Sequence, residues 1–143
     1  MFIHKNLYNF WSRSEGVWLS KLVKVRVSLL DEQELSLISQ IHLFTEAEFG
    51  VNMSCEYNLK EESGYMSWCV DSNHSGLVFT DKSLSKDSLP RIFDYQMVND
   101  HKLVMTVGKY EETVVLEGDT RRLREQRYEG KLLRRLWENK FRA

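Results

Sequence analysis

The sequence KLVMTVGKYEETVVLEGDTRRLREQRY at residues 102–128 decides the fold class. It contains three short runs whose composition is typical of β-strands: residues 102–110, 112–116 and 122–128. The turn sequence Glu117-Gly118-Asp119 separates the last two runs, and Asn99-Asp100 forms a second hairpin tip just before the first. Successive hairpins of this kind indicate an antiparallel sheet and argue against alternating strands and helices.

Runs of the same kind recur toward the N-terminus at intervals of about ten residues. They lie at residues 17–29, 35–44, 51–59, 64–70, 76–80 and 91–98. The first run is predicted to be one strand with a buried face, because three valines alternate with polar residues: Val23, Val25 and Val27. We expect a turn at residues 31–34 and, since Thr45 and Glu48 match a capping box, a single helical turn before the next strand.

Both ends of the chain show helical periodicity. Residues 3–14 place hydrophobic side chains at helical spacing and Gly16 follows, so we predict an N-terminal helix there. Residues 130–143 also fit a hydrophobic helical stripe with basic residues beside it. A helix in that position would contact a membrane surface or a partner helix, whereas a strand would close the sheet. Periodicity alone favours the helix.

Composition limits the classes of function. The 143 residues, of which 42% are hydrophobic and 29% charged, predict one folded domain that spans residues 1–143. Twenty basic and 21 acidic residues leave a net charge of -1, so no binding to nucleic acid or to a membrane is expected. The first residues lack a signal peptide, and no stretch approaches the roughly 18 apolar residues of a membrane span, so we expect a cytoplasmic protein.

The cysteines and histidines do not indicate a metal or disulfide framework. Cys55 and Cys69 are too few for such a framework, and we expect both to be thiols. The four histidines are His4, His42, His74 and His101. Neither they nor the cysteines fall at the spacings of a structural zinc site, so no metal is predicted.

Two motifs resemble those of the S-type phycobiliprotein lyases. Residues 10–20, FWSRSEGVWLS, match an opening in which two aromatic residues precede Ser-x-Gly-x-Trp-x-Ser. A hundred residues later, Glu112 precedes the Arg-x-Arg sequence of Arg122 and Arg124 by ten positions, as in the second motif of that family. Weaker matches lie at residues 64–68 and at Trp137-Glu138. The resemblance therefore covers nearly the whole chain in order.

The sequence also departs from the family pattern at several positions. Lys21 and Leu22 follow Ser20 where the family usually has glutamine and arginine. A second tryptophan that often comes shortly after the one matched by Trp68 is absent, and Gln126 replaces a small hydroxyl residue. The resemblance therefore does not fix which bilin is preferred.

The resemblance implies an all-β fold, a lipocalin-like (calycin) antiparallel β-barrel of about ten strands with one N-terminal α-helix. The helix would occupy about residues 3–14 and the barrel about residues 17–143, with residues 130–143 as the closing strand. The implied function is that of a lyase, which binds a free bilin such as phycoerythrobilin and assists its thioether attachment to a phycobiliprotein cysteine. The bilin is then a substrate and no cofactor is bound permanently. Phycoerythrin is the expected acceptor, and a bilin reductase as donor and homodimerisation are both compatible with the resemblance.

A bilin is an elongated tetrapyrrole with two propionates, so its site needs aromatic walls, cations and an acceptor for pyrrole N–H groups. The resemblance implies that Glu112, as hydrogen-bond partner or proton donor, and Arg122 are catalytic. The implied bilin-binding residues are Arg124, Trp18, Trp68, Ser20, Gln126 and Glu138. Arg122 and Arg124 would contact the propionates, while the two tryptophans would form walls.

Two questions remain open at the level of sequence. If Leu116 pairs with Arg122, Glu112 and the two arginines share a face of the sheet; if it pairs with Arg121, they lie on opposite faces. On the residues alone, a solvated ion pair and core tryptophans explain the same pattern without any function. A carrier for bilin, haem or lipid would have the same barrel, but it would not assist bond formation.

Overall fold

The computed structural model describes residues 5–20, 23–31, 33–35, 37, 48–57, 60–70, 74–80 and 91–142. A short helical stretch lies at residues 33–35 and 37. The other elements, in chain order, are one helix and ten strands: α1 (Lys5–Ser14), β1 (Gly16–Ser20), β2 (Val23–Leu29), β3 (Glu48–Tyr57), β4 (Lys60–Val70), β5 (Ser75–Thr80), β6 (Arg91–Asn99), β7 (Lys102–Val107), β8 (Tyr110–Glu117), β9 (Arg121–Tyr128) and β10 (Lys131–Arg142).

The ten strands form a closed antiparallel barrel. Each strand pairs with its neighbour in the chain, and β1 closes the barrel by pairing with β10. The predicted fold class, an all-β barrel of about ten strands behind one N-terminal helix, is confirmed. The assignment of the C-terminal segment to a closing strand is also confirmed, and the competing helix is wrong there. Pairing with strands on both sides satisfies the backbone of β10, which outweighs its helical periodicity.

The prediction of one strand over residues 17–29 is wrong. The segment folds into two antiparallel strands, β1 and β2, in which Trp18 lies opposite Val25. The core-facing residues are even-numbered in β1 and odd-numbered in β2. Regular alternation keeps one parity buried along a strand, and here the change of parity falls between the two paired strands.

The strand predicted at residues 35–44 is wrong at its start, because Leu35 and Leu37 are helical. The backbone N–H of Glu34 donates to Asp31 Oδ1 (2.8 Å), and the Asp31 N–H donates to Glu34 Oε2 (3.2 Å). This reciprocal capping box begins a helical stretch where a simple turn was predicted. Residues 38–47, which include Thr45 of the other predicted capping box, lie outside the described residues, and Glu48 begins β3.

The predicted strand at residues 102–110 is too long. It is interrupted after Val107 by a two-residue turn, and Tyr110 already belongs to β8, where it pairs with Val107. Gly108 adopts φ +56°, a left-handed conformation that glycine tolerates better than other residues. The two predicted hairpin tips begin one residue later in the structure: the turns occupy residues 100–101 and 118–120, while Asn99 ends β6 and Glu117 ends β8.

Helix α1 covers one end of the barrel. Arg13 Nε contacts Asp119 Oδ1 (2.8 Å), and Arg13 Nη2 donates to the carbonyl of Gly118 (3.1 Å). Asn9 reaches Asp100 in the turn between β6 and β7 (3.5 Å). We call this the helix end. The turns at residues 108–109 and 129–130 lie at the opposite end, which we call the far end.

Candidate functional site

The register of β8 against β9 brings the residues of the second motif onto one face. Leu116 lies opposite Arg122, and Glu112 lies opposite Gln126. Val114 and Leu116 are core residues, so Glu112, which has the same parity, also faces the barrel interior. Arg122, Arg124 and Gln126 face inward with it. The first of the two registers left open by the sequence is therefore the one that forms.

Glu112 lies in a hydrogen-bonded group toward the far end. Arg124 Nη2 donates to Glu112 Oε1 at 2.8 Å, and Gln126 Nε2 donates to the same oxygen at 3.1 Å. The Glu112 and Arg124 side chains keep 13% and 19% of their surface exposed. Because both bonds use Oε1, Glu112 Oε2 has no hydrogen-bond partner among the described residues.

The ionisation of Glu112 follows from these contacts. Burial raises the pKa of this carboxyl group, but the Arg124 charge and the hydrogen bonds from Arg124 and Gln126 lower it further, and the net pKa lies below the ordinary value. Glu112 is therefore a carboxylate at neutral pH. Of the two roles implied by the resemblance, hydrogen-bond acceptor suits this state better than proton donor.

Arg122 and Glu138 form a second ion pair deeper in the barrel. Arg122 Nε donates to Glu138 Oε1 at 2.7 Å, and each side chain is only 1% exposed. The guanidinium carbon of Arg122 lies 4.6 Å from the ring centroid of Trp18. Burial lowers the pKa of Arg122 more than the Glu138 charge raises it. Arg122 Nη2 and Glu138 Oε2 are buried, and neither has a hydrogen-bond partner among the described residues.

Glu138 connects the two ion pairs. Its Oε2 lies 3.7 Å from Arg124 Nη1, so two carboxylates and two guanidinium groups alternate in one cluster. We call Glu112, Arg124, Glu138 and Arg122 the four-charge cluster. Burial lowers the pKa of Arg124, but the charges of Glu112 and Glu138 raise it above the ordinary value. The cluster is formally neutral, and its exposure increases from Arg122 toward Glu112 and the far end.

The structure brings Trp18 to this cluster but places Trp68 elsewhere. Trp18 is fully buried, donates from Nε1 to the carbonyl of Ser14 (2.9 Å), and has Lys140 Nζ 5.2 Å from its ring. Trp68 packs in an aromatic group near the helix end, 5.5 Å from the Trp11 ring and 4.9 Å from Tyr95. The buried Nε1 of Trp68 has no hydrogen-bond partner in the part of the chain that the structure describes. Both tryptophans are therefore well-packed core residues.

Ser20, the remaining predicted site residue, is buried on the inward face of β1 opposite Val23. Two inward-facing residues near the site were not predicted. Tyr110 lies two positions before Glu112, and Arg134 lies opposite Gln126 on β10. Their shared parity with Glu112 and Glu138 is a signal in the sequence, but it becomes useful only once the register is known.

Among the residues that the structure describes, no group of three or more His, Cys, Asp or Glu side chains is placed to hold a metal ion. Cys55 and Cys69 are both thiols. In the same described part of the chain, no helix is long and apolar enough to cross a membrane.

Comparison with known proteins identifies the architecture. Neither a protein-family model nor a curated protein sequence matches the chain. The solved structure of an S-type phycobiliprotein lyase from Guillardia theta matches with a TM-score of 0.64, over 96% of this chain and 93% of that one. The barrel has the S-type lyase fold. The two chains share 14% identity, so the likeness establishes the fold, and it confirms at that level the resemblance seen in the two motifs.

Proposed function

We propose that this protein is a bilin lyase, which binds free phycoerythrobilin in the barrel and assists its thioether attachment to a cysteine of a phycoerythrin subunit. Two independent observations support the proposal: the S-type lyase fold, and the inward-facing group of Glu112, Arg124 and Gln126. The second observation carries the argument, because fold alone does not determine function.

The chemistry of the cluster suits a tetrapyrrole. Pyrrole N–H groups need an acceptor that is shielded from water, and Glu112 is an ionised carboxylate whose Oε2 has no partner among the described residues. Gln126 and Arg124 hold its other oxygen, so the free oxygen keeps a defined position. A hydrogen bond to a charged group in such surroundings is stronger than a neutral one.

The same carboxylate would assist the reaction. The thiolate of the acceptor cysteine adds to the vinylic side group of ring A, so a carbon–sulfur bond forms and the electron pair of the double bond moves toward the tetrapyrrole, which takes up a proton. When the proton is bound before the thiolate adds, the tetrapyrrole is a cation that a carboxylate beside its N–H groups stabilises, and addition of the anionic thiolate then gives a neutral adduct. The nucleophile belongs to the acceptor, and this chain would control the conformation of the bilin and the face that is attacked.

A reconstitution experiment separates a lyase from a carrier. The protein is mixed with phycoerythrobilin and an apo-phycoerythrin subunit, and the covalent adduct is measured after acid denaturation by its absorption spectrum. A lyase accelerates formation of an adduct with the native colour compared with the same mixture without it. A carrier only changes the absorption of the free bilin. If adduct formation is no faster than in the control mixture, the proposal is wrong.

A further inference from the structure

The neutrality of the four-charge cluster limits what it can bind. Arg122 is paired with Glu138, and Arg124 with Glu112 and Glu138, so neither guanidinium is an uncompensated cation. A carboxylate that entered this region would either displace a protein carboxylate or add a negative charge to a neutral, largely buried group. Both are costly in a medium that solvates charge poorly. The two propionates of a bilin therefore need a cation elsewhere.

Arg134 is such a cation. It lies on β10 opposite Gln126, and residues opposite each other in a sheet share a face, so its side chain belongs to the inward face at the far end. It is exposed, and it forms no ion pair with any carboxylate among the described residues. The next residue, Arg135, is also exposed, but it faces outward and contacts Glu125 at 2.7 Å.

Tyr110 supplies a neutral donor on the same inward face, near the far end of β8. It is half-buried on the inward face of β8, and the ring of Phe93 packs against it edge-on at 6.3 Å. Burial and the Glu112 charge raise the pKa of Tyr110 to about 12, although Arg124 and Arg134 act in the opposite direction. Its hydroxyl group is therefore protonated at neutral pH and can donate a hydrogen bond. Tyr110 and Arg134 lie on either side of β9, where Tyr110 is opposite Tyr128 and Arg134 is opposite Gln126, so both belong to the inward face at the far end.

We propose that Arg134 and Tyr110 bind a carboxylate of the ligand at the far end of the barrel. This inference rests on the proposed function and specifies how the bilin is oriented along the barrel axis. A propionate would lie between the guanidinium and the phenol, while the pyrrole rings extend inward to Glu112. Arg122 and Arg124 then retain their carboxylate partners. Their contribution to binding is to hold Glu112 in place.

Paired titrations with phycoerythrobilin and its dimethyl ester test the assignment, because esterification removes both negative charges and leaves the rings unchanged. Binding is measured from the absorption change. We expect Arg134→Gln to weaken binding of the free acid about tenfold, as for loss of a charge-assisted hydrogen bond, and to leave ester binding unchanged. Tyr110→Phe should give a smaller, equally acid-specific loss. Arg135→Gln changes the net charge equally on the outward face and should bind both pigments like the wild type.

Each other outcome overturns a defined part of the argument. If Arg134→Gln weakens acid and ester equally, Arg134 contacts the rings and not a carboxylate. If it binds the acid as tightly as the wild type does, or if Arg135→Gln loses as much, a specific carboxylate site at Arg134 is wrong while the proposed function stands. If the wild-type protein binds neither pigment, the proposed function fails as well.

Discussion

Two ion pairs lie side by side in this barrel, and they differ mainly in depth. Arg122 and Arg124 are two positions apart on the same face of β9, and each contacts a glutamate at 2.7 to 2.8 Å. The Arg122–Glu138 pair is 1% exposed on both sides, whereas Arg124 and Glu112 keep 19% and 13%. The deeper pair has lost its hydration, and the shallower pair retains some. The same two residue types therefore serve different purposes.

The difference changes the expected role of Arg122. The family resemblance implies a catalytic residue at this position, but its side chain is enclosed between Glu138 and the Trp18 ring. A group that is shut in by its own protein acts on a ligand mainly through its neighbours. We expect Arg122 to position Glu138 and Arg124, and Glu112 to be the group that touches the bilin.

The largest effect is expected when the deep pair is broken. Glu138→Gln leaves the Arg122 charge buried without its counter-charge, so the free energy of unfolding should fall by about 3–5 kcal/mol. Urea unfolding followed by tryptophan fluorescence measures this. Replacing both partners, Arg122→Met with Glu138→Leu, removes the charges together and should recover much of the loss. If Glu138→Gln is as stable as the wild type, the Arg122–Glu138 pair does not stabilise the fold.

The shallow pair should respond in activity more than in stability. Glu112→Gln keeps the shape of the side chain but removes the charge that would face the pyrrole N–H groups. Bilin transfer should fall at least about tenfold, equivalent to roughly 1.4 kcal/mol. The matched control is Glu111→Gln, since Glu111 is the preceding residue on the other face of β8. Transfer at the wild-type rate by Glu112→Gln would remove Glu112 from the site.

Acid should weaken the shallow pair only when the pH falls below about 5. The folded-state pKa of Glu112 is lowered, so its stabilising contribution is complete above the unfolded-state value of about 4.3 and is lost as the pH falls through the folded value. Between about pH 5 and pH 3, the wild-type free energy of unfolding should therefore decline more steeply than that of Glu112→Gln. Parallel slopes would contradict the lowered pKa. Glu125, whose pKa is also lowered, contributes equally to both proteins.

The smallest change in the free energy of unfolding is expected for an ion pair on the outer face of β9 and β10. Arg135 contacts Glu125 at 2.7 Å, a distance like that of the interior pairs, but its side chain is 53% exposed. Water screens such a pair, so Arg135→Gln should change the free energy of unfolding by under about 1 kcal/mol. The same urea titration provides the measurement. A loss comparable with that of Glu138→Gln would mean that depth is not what separates these pairs.

The architecture was largely visible in the sequence, because hairpin turns and alternating residues are local signals. The predictions that were wrong concern segments whose local sequence pattern fits two different structures. The valines of β2 continue the alternation of β1 smoothly enough to conceal a change of parity, and a helical capping box at Asp31 and Glu34 resembles an ordinary turn. The periodicity of residues 130–143 favours a helix, and the family resemblance was needed to predict the closing strand that the structure has.

The candidate site was predictable in its members and not in its arrangement. Both motif arginines and Glu112 could be named from the family resemblance, but a one-residue choice of register separates an interior cluster from a surface pair. That Glu138 is the partner of Arg122 depends on which strand lies next to β9. Depth in the barrel, which separates Arg122 from Arg124 and exposes Arg134, is a property of the closed sheet and has no local signature.

The pairing of β1 with β10 has a consequence for biosynthesis. Trp18 and Lys140 lie opposite each other although they are more than a hundred residues apart, so the first strand has an unpaired edge until β10 has been synthesised and has left the ribosome. Such long-range pairing slows folding, and exposed edges invite association between nascent chains. We expect ribosome-bound chains that stop before β10 to be cleaved readily by added protease. Released full-length chains should resist it, and equal resistance of both would show that closure is not the late step.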